Sequence, residues 1–270
     1  MKVLFIDGYN LFHRARFGFG VGDYNIVYTF FRSFRSMIEQ MNADKIIVVL
    51  EGNPKFRHEL YPEYKINRKV SADNAQKIEE LDDFRRQKDI IIRLLSHLPI
   101  ELVYHPDYEG DDLIGKLVNS TYSNDTCVIV TGDTDFIQLL DEERDVSIWN
   151  PIKKSWVSKP SYDYVLWKSI VGDTADNIKG VHRVGHKTAE KVLSMTSDKV
   201  TAWINESPER LSTVTRNQTL IKFADVPLEG VISLSNEVSL EEIRKSFESM
   251  GFESMLSDKA WNKFAGTFNI

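Results

Sequence analysis

Short apolar runs separated by helical patterns constrain this chain most strongly. The runs occupy residues 3–6, 46–50, 102–104 and 128–130 of the 270 residues. Continuous apolar runs of this length are typical of parallel strands that are buried on both faces. Because such strands alternate with helical segments here, we predict an α/β fold with a parallel central sheet flanked by helices.

The strand pattern divides the chain into two predicted regions. Residues 1–160 are predicted to form the α/β core, which ends in a small hairpin of residues 146–149 and 156–157. Within the core, residues 53–69 are polar and basic and predict a long loop, whereas residues 71–97 predict a helix. After about Ser161 the predicted strands stop, and residues 161–270 are predicted to be helical.

Composition excludes several classes of protein. No apolar run approaches the roughly 18 residues that span a bilayer, and the first residues do not resemble a signal peptide. Cys127 is the only cysteine, which excludes an internal disulfide framework and indicates a reducing compartment. We therefore predict a cytoplasmic, intracellular protein that does not associate with membranes.

The net charge of −6 is unevenly distributed along the chain. Residues 177–223 contain eight Lys and Arg against four acids, whereas residues 225–258 contain eight acids against two bases. A basic segment beside an acidic one fits phosphate binding on one face, and uneven solvated surfaces explain it equally well. If the nine acids considered below bind metal, the rest of the chain carries a net charge of +3.

Acidic residues follow all four predicted parallel strands. Ligands of open parallel sheets bind at the carboxyl ends of the strands, where these side chains would converge. Crowded carboxylates raise one another's pKa values, and hard cations such as Mg²⁺ or Mn²⁺ relieve the repulsion. Any one acid is explained as a helix cap or turn residue, but four such strand ends are not. In chain order the acids are Asp7, Glu51, Glu109, Asp111, Asp112, Asp133 and Asp135.

This arrangement predicts hydrolysis of phosphodiester bonds by two metal ions. Two cations roughly 3.5–4 Å apart stabilise both the attacking and the leaving oxygen, and one lowers the pKa of its bound water. Asp133 and Asp135 are two residues apart, as a shared metal site requires. His and Cys residues with zinc-site spacing are absent from the sequence, so zinc is not predicted.

Glycines in the basic segment predict a helix–hairpin–helix over residues 173–194. Gly180 and Gly185 permit tight turns, and the backbone N–H groups at the start of the second helix can face a phosphate. Such a hairpin binds the nucleic-acid backbone without sequence preference. An ordinary helix turn with a C-cap glycine is the alternative. Asp173 and Asp176 precede the hairpin and could complete the metal cluster.

Four motifs, taken together and in order, resemble the flap endonuclease or 5′→3′ exonuclease family. Each motif alone is weak, but their order and spacing match from Asp7 to about Leu193. The compact length is most similar to the bacteriophage RNase H and 5′-exonuclease branch or to stand-alone bacterial relatives. The motifs are Phe5-Ile6-Asp7-Gly8-Tyr9-Asn10-Leu11, Glu109-Gly110-Asp111-Asp112, Thr131-Gly132-Asp133-Thr134-Asp135 and Gly172-Asp173-Thr174-Ala175-Asp176-Asn177-Ile178-Lys179-Gly180-Val181.

The resemblance implies a PIN-like core, a helical arch over residues 53–97 and a 5′-nuclease that removes RNA primers and 5′ flaps in replication or repair. Its substrates would be DNA with 5′ flaps or ends and RNA–DNA hybrids. The resemblance also implies two Mg²⁺ or Mn²⁺ ions, K⁺ at the hairpin, and replication partners such as a single-strand-binding protein. We expect a monomer. The implied metal ligands are Asp7, Glu51, Glu109, Asp111, Asp112, Asp133, Asp135, Asp173 and Asp176.

The resemblance also implies roles for individual residues. Lys65 and Arg68 would contact the scissile phosphate and act with Asp133 and Asp135 in catalysis. Tyr64 would stack on a terminal base. The implied nucleic-acid-binding residues are Tyr64, Lys65, Arg68, Gly180, Arg183, Gly185, Lys187, Thr188 and Lys191.

The sequence departs from the family pattern at two places. Glu51 stands where the second strand normally ends in Asp. In the hairpin, His182-Arg183 and His186 replace a Pro-Gly pair and a Pro. The first departure bears on how Glu51 binds metal, and the second bears on the hairpin geometry and its K⁺ site.

Three other functions remain open at this stage. A PIN-type ribonuclease that cuts single-stranded RNA shares the acidic sheet edge but needs neither the arch nor the hairpin. A non-catalytic DNA-binding module would retain the same residues for structure. Phosphoryl transfer through an aspartyl intermediate needs a second Asp two residues after Asp7, where the chain has Tyr9.

Overall fold

The computed structural model describes residues 1–18, 22–68 and 75–268, with Ala75 and Gln76 described by their backbone alone. The strands, in chain order, are β1 (Lys2–Asp7), β2 (Lys45–Val49), β3 (Glu101–Tyr104), β4 (Thr126–Val130), β5 (Val146–Asn150), β6 (Ser155–Trp156), β7 (Gly172–Asp173), β8 (Ile178–Lys179) and β9 (Ile232–Ser233). The α-helices are α1 (Gly8–Ala15), α2 (Asn25–Met41), α3 (Lys55–Leu60), α4 (Ala75–Leu95), α5 (Gly110–Asn119), α6 (Tyr164–Val171), α7 (His186–Leu193), α8 (Ser197–Asn205), α9 (Pro208–Ile221), α10 (Leu240–Ser249), α11 (Glu253–Leu256) and α12 (Asp258–Thr267).

The central sheet has the strand order β6-β5-β4-β1-β2-β3-β9. Strands β1 to β5 are parallel to one another, and the short edge strands β6 and β9 are antiparallel. Ile6 lies opposite both Val48 and Val130, so the carboxyl ends of the three central strands meet at one edge. The predicted α/β fold with a mainly parallel sheet is confirmed, as is the predicted hairpin, which is β5–β6.

Alternate residues of the buried strands face two helical layers, as the pleat of a strand requires. Leu4 and Ile6 face the first layer, which contains α1, α2, α4 and the C-terminal helices α10 to α12. Val3 and Phe5 face the second layer, where Leu113 of α5 is fully buried. The sheet is therefore covered on both faces, which explains why its strands are apolar without alternation.

The C-terminal helices complete the first layer. Phe247 of α10 is fully buried and its ring contacts Phe31 of α2 at a centroid distance of 5.3 Å. Phe264 of α12 packs against both rings. The predicted boundary at residue 160 stays a prediction, but residues on either side of it share one apolar cluster.

The structure differs from the predicted secondary structure at three places. The predicted loop 53–69 contains α3 and a 3₁₀ turn at Ile66–Arg68, since Pro54 is compatible with a helix start and Arg57 is anchored in the interior. The predicted helix 71–97 corresponds to α4, and residues 69–74 of the predicted arch lie outside the described residues. The prediction that strands stop after Ser161 is wrong, because β9 pairs with β3 and β7 pairs with β8.

The predicted helix–hairpin–helix interval contains one helix instead of two. Residues 173–194 include α7, whereas the preceding helix, α6, ends at Val171. The β7–β8 pair and a turn connect the two helices, and Val181 N donates to Ile170 O at 2.7 Å. A Cβ at position 180 would lie 2.3 Å from the Val171 carbonyl carbon, so this close approach requires Gly180.

None of the helices in the described part of the chain is both long and apolar enough to cross a membrane.

We predict that Phe247→Ala lowers the free energy of unfolding by about 3–5 kcal/mol, because it leaves a cavity between α10 and α2. Urea denaturation followed by circular dichroism measures this change. Phe17, whose side chain is 83% exposed, provides the matched control, and Phe17→Ala should change stability by less than about 0.5 kcal/mol. A loss as small for Phe247→Ala would show that α10 does not stabilise the core.

Candidate metal centre

Asp7 lies at the carboxyl end of β1 and is held in place by two neighbours. Its Oδ1 accepts a hydrogen bond from Asn10 N at 3.0 Å, and its Oδ2 accepts one from Thr131 Oγ1 at 2.9 Å. Thr131 Oγ1 also accepts from Asp133 N at 3.0 Å, and Asn10 Oδ1 accepts from Gly132 N at 3.0 Å. These bonds fix the end of β1 against the end of β4, and so bring Asp7 and Asp133 to the same edge.

Two more strand ends contribute acids to this edge. Glu51 follows β2, and its Oε2 accepts from Gly110 N at 2.9 Å. Glu109 precedes α5 and is buried, whereas Asp111 is half-buried in the first turn of that helix. The side-chain oxygens of Glu109, Asp111 and Asp112 lie within 4.8 Å of one another.

A second acidic group joins the fourth strand end to the C-terminal region. Asp135 follows β4, Asp173 lies in β7 and Asp176 lies in the turn after it. Their carboxylate oxygens also lie within 4.8 Å of one another. Lys168 of α6 pairs with Asp135 and, at 2.6 Å, with Asp173.

Lys65 connects the two acidic groups, and Arg68 adds a second cation to one of them. Lys65 Nζ pairs with Glu109 Oε1 and lies 3.7 Å from Asp176 Oδ2. Arg68 pairs with Asp176. Six of the nine acids predicted from the sequence therefore belong to two groups that Lys65 connects, and the charges of Asp7 and Glu51 act on their neighbours Asp133 and Glu109 at the same edge.

The crowding shifts the pKa values of these acids upward. Burial, opposed by the bonds from Asn10 and Thr131, raises the pKa of Asp7 to about 6. Enclosure by protein and the charges of Glu109 and Asp7 raise the pKa of Glu51 to about 7. Burial and Glu109 raise the pKa of Asp111 well above its ordinary value. Acids that resist ionisation in this way are stabilised by cations, here lysine and arginine.

The donor set fits hard divalent cations. Both groups offer carboxylate oxygens, which Mg²⁺ and Mn²⁺ prefer, and each group brings three such side chains within the span of one ion. Burial first, and neighbouring acids second, raise the pKa values of Asp7, Glu51, Asp111 and Asp135, so their ionised forms lack compensation at this edge. Added positive charge would supply that compensation.

Tyr64 does not lie where the predicted stacking role requires. It is buried, and its hydroxyl donates to Glu109 Oε2 at 2.9 Å and approaches Asp176 Oδ2 at 3.3 Å. Its ring packs with Ile178 and Leu220 in a small apolar cluster. We therefore correct the stacking prediction: in this structure Tyr64 supports the acids, because the apolar ring is inside and only its hydroxyl reaches the charged edge.

The predicted nucleic-acid-binding residues of the hairpin lie on the surface. The φ angle of Arg183 is 59°, which turns the chain before Gly185, the residue that precedes α7. His186, which departs from the family pattern, contacts the ring of Trp167 at a centroid distance of 5.1 Å. Of the residues predicted for this surface, Gly180 is half-buried against the Val171 backbone, and the exposed ones are Arg183, Gly185, Lys187, Thr188 and Lys191.

The sequence analysis missed Arg57 and Lys168, two buried cations of this site. Lys168 is the single charge in the apolar helix Tyr164–Val171, and a lone charge of that kind is a signal for a buried ion pair. Arg57 carries no comparable signal, because it lies in a polar, basic segment.

Comparisons with known proteins identify the family of this chain and proteins that share its fold. The family described as 5′-3′ exonuclease, N-terminal resolvase-like domain, matches residues 2–165. Thermostable DNA polymerase I of Thermus filiformis is 32% identical over 208 residues, which cover 72% of this chain and 24% of that protein. The chain thus spans about a quarter of the length of this relative.

Two solved structures share the fold. A bacteriophage T5 flap endonuclease, in a pseudo-enzyme–product complex with DNA and metal ions, has a TM-score of 0.65 and 18% identity, and the match covers 100% of this chain and 98% of that one. Flap endonuclease-1 of Methanococcus jannaschii has a TM-score of 0.62 and 14% identity, with 99% and 92% coverage.

The fold and the acidic edge define a nuclease-like α/β protein. The chain belongs to the 5′-3′ exonuclease family, because the family match extends over more than half of its length.

We predict that Lys168→Met lowers the stability of the metal-free protein by about 3–5 kcal/mol, because it leaves the partly buried Asp135 and Asp173 without their shared cation. Mn²⁺ should then stabilise this variant more than the wild type, since it replaces the lost charge. Denaturation curves with chelator and with Mn²⁺ measure both effects.

The exposed Lys199 gives the control, and Lys199→Met should change neither value appreciably. If Mn²⁺ stabilised Lys168→Met and the wild type equally, a cation site at Asp135 and Asp173 would be ruled out.

Proposed function

We propose that this chain is a divalent-metal-dependent 5′-nuclease that hydrolyses phosphodiester bonds near 5′ ends. One observation supports this most strongly. Acids after β3 and β4 and two acids from the segment after α6 form two groups that Lys65 connects, and the charges of Asp7 and Glu51 act on Asp133 and Glu109 at the same sheet edge. A helix cap or a turn accounts for the presence of a single acid. Neither role accounts for acids from six places in the chain lying at one edge of the sheet.

Two Mg²⁺ or Mn²⁺ ions are the proposed cofactors. Glu51, Glu109 and Asp111 would hold one ion, and Asp133, Asp135, Asp173 and Asp176 would hold the other, with Asp7 between them. When bound, such ions supply an ionised water as nucleophile and stabilise the attacking and leaving oxygens.

The cations of the site provide the remaining electrostatic stabilisation. Lys65 and Arg68 pair with Glu109 and Asp176 at the open side of the cluster, and 52% of the Arg68 side chain is exposed. Fixed positive charges in this position stabilise negative charge that develops on a phosphate. We propose that divalent cations replace Lys65 and Arg68 as partners of Glu109 and Asp176. Lys65 and Arg68 would then be available to contact the scissile phosphate.

The hairpin surface is the proposed contact with the DNA backbone. Lys187 and Lys191 are exposed on one helix, and Arg183 lies in the turn that precedes it. Backbone N–H groups at the start of a helix favour a phosphate, and the lysines add charge. The bacteriophage T5 structure that shares this fold contains DNA and metal ions, which supports a nucleic-acid substrate.

The proposed substrates are DNA with 5′ flaps or 5′ ends and RNA–DNA hybrids, including RNA primers. A 5′-labelled flap, an RNA–DNA hybrid and an unstructured RNA, each incubated with Mg²⁺ and with chelator, test this directly. Cleavage of the flap or hybrid in Mg²⁺ alone supports the proposal. Cleavage confined to the unstructured RNA would favour the PIN-type ribonuclease, and no cleavage would favour a binding module. The K⁺ ion, a replication partner, the monomeric state and an intracellular location stay predictions.

We predict that Asp133→Asn abolishes cleavage, with a loss of at least about 100-fold, while duplex affinity stays within a few-fold of the wild type. The amide keeps the size of the side chain but removes its charge. Rates in Mg²⁺ and affinities in Ca²⁺, measured on the same flap substrate, separate the two effects. Retained turnover in Mg²⁺ would contradict the role of Asp133.

We predict that Lys187→Ala weakens duplex binding and reduces the slope of log K against log salt by about 0.9, because one phosphate contact is lost. Fluorescence anisotropy at several salt concentrations measures the slope. Lys259→Ala, an exposed lysine on α12, is the control and should leave the slope unchanged. An unchanged slope for Lys187→Ala would remove the hairpin from the interface.

A further inference from the structure

Arg57 of α3 is the largest charged side chain in the described interior, with 1% exposure. Its guanidinium forms five hydrogen bonds to two parts of the chain, residues 109–112 and 220–222. An arginine buried this completely needs partners for its charge and for all of its N–H groups. Those partners lie on α5 and at the end of α9, so Arg57 joins the base of the predicted arch to the acidic edge and to the C-terminal region.

Asp112 is the main partner of Arg57. The pair is bidentate, with Arg57 Nη2 at 2.7 Å from Oδ1 and Nη1 at 2.5 Å from Oδ2. Oδ1 also accepts from Ala224 N at 2.8 Å, and Oδ2 from Glu109 N at 3.3 Å. Asp112 has no exposed surface, and each of its oxygens has two donors. A carboxylate with both oxygens engaged in this way has little capacity left for a cation.

The two oxygens of Glu109 have partners on different sides: Oε2 is bound by interior groups and Oε1 by Lys65. Its Oε2 accepts from Arg57 Nη1 at 2.8 Å and from the Tyr64 hydroxyl at 2.9 Å. Its Oε1 points to the other side, where it pairs with Lys65. Arg57 and Tyr64 thus fix the rotation of the Glu109 carboxylate and direct Oε1 towards the charged edge.

The backbone of the C-terminal region fixes Arg57 itself. Nε donates to Leu220 O at 2.9 Å, and Nη2 donates to Lys222 O at 3.4 Å. Leu220 lies in the last turn of α9, where unpaired carbonyls and the helix dipole favour a cation. The position of α9 therefore bears directly on the orientation of Glu109.

We propose that Arg57 is a positioning residue of the metal centre, and that Asp112 anchors Arg57 instead of binding metal. This inference rests on the proposed metal-dependent function. It divides the Glu109-Gly110-Asp111-Asp112 motif into two roles, since Glu109 and Asp111 face the cation and Asp112 faces the interior. Partners that orient a ligand in this way typically change metal affinity or activity by about 10–100-fold when they are removed.

Calorimetric titration of the full chain with Mn²⁺ tests the proposal without any measurement of cleavage. Three variants are compared with the wild type: Arg57→Met, Asp112→Asn and, as the reference for a true ligand, Asp111→Asn. We expect Arg57→Met to weaken one Mn²⁺ site by roughly 10–100-fold and to leave the site of Asp135 and Asp173 unchanged. Asp112→Asn should keep both Mn²⁺ ions, whereas Asp111→Asn should lose one.

The second Mn²⁺ site serves as an internal control for folding. A residue needed only for stability would lower the melting temperature and leave both affinities unchanged at a temperature where the variant is folded. That result for Arg57→Met would overturn the positioning role, and loss of one ion in folded Asp112→Asn would make Asp112 a ligand.

If Arg57→Met does not fold, Arg57→Lys decides the question by the same titration. Lysine keeps the charge but cannot form the bidentate pair, so we expect an intermediate loss of affinity at one site. Wild-type affinity in Arg57→Lys would contradict the proposal. If the wild-type protein bound no Mn²⁺, the proposed function would be refuted. If the wild type bound Mn²⁺ and the Arg57 variants bound it equally well, only the positioning role of Arg57 would be refuted.

Discussion

Repulsion between carboxylates at one edge of the sheet is the constraint on which the rest of this structure depends. Parallel strands bring their carboxyl ends together, so acids that follow them cannot avoid one another. Among the described residues, four cations offset this charge, and they come from α3, α6 and the segment between α3 and α4. They are Arg57, Lys65, Arg68 and Lys168.

These four side chains differ in how deeply they are buried and therefore in how easily their ion pairs can be exchanged. Arg57 is completely buried and engages every N–H group, so it belongs to the architecture. Lys65 and Arg68 lie at the open side, where incoming cations or a phosphate could replace their partners. The buried arginine stabilises the acids permanently, whereas the more accessible cations can be exchanged. This arrangement suits a site that must be stable when empty and must also admit metal and substrate.

The same contacts join regions that are distant in the chain. The end of α9 accepts hydrogen bonds from Arg57, and α6 places Lys168 between Asp135 and Asp173 just before the hairpin surface begins. A proposed DNA-backbone contact at α7 is therefore connected through α6 to the acids that would cut the strand. The chain belongs to the 5′-3′ exonuclease family, and this connection supports the proposed contact between α7 and the DNA backbone.

The α/β class, the parallel strands and the acids at their ends follow from the sequence, because apolar runs and the residues after them are local features. The sequence also located the exposed basic turn around Arg183 and Lys187. Only the tertiary structure decided that α3 forms within the predicted loop, that β9 closes the sheet, that Tyr64 lies inside, and that Asp112 pairs with Arg57. Those outcomes depend on partners far away in sequence, such as Arg57 with Leu220, 163 residues apart. A local pattern specifies which side chains are charged, but which of them are buried together depends on how distant segments pack.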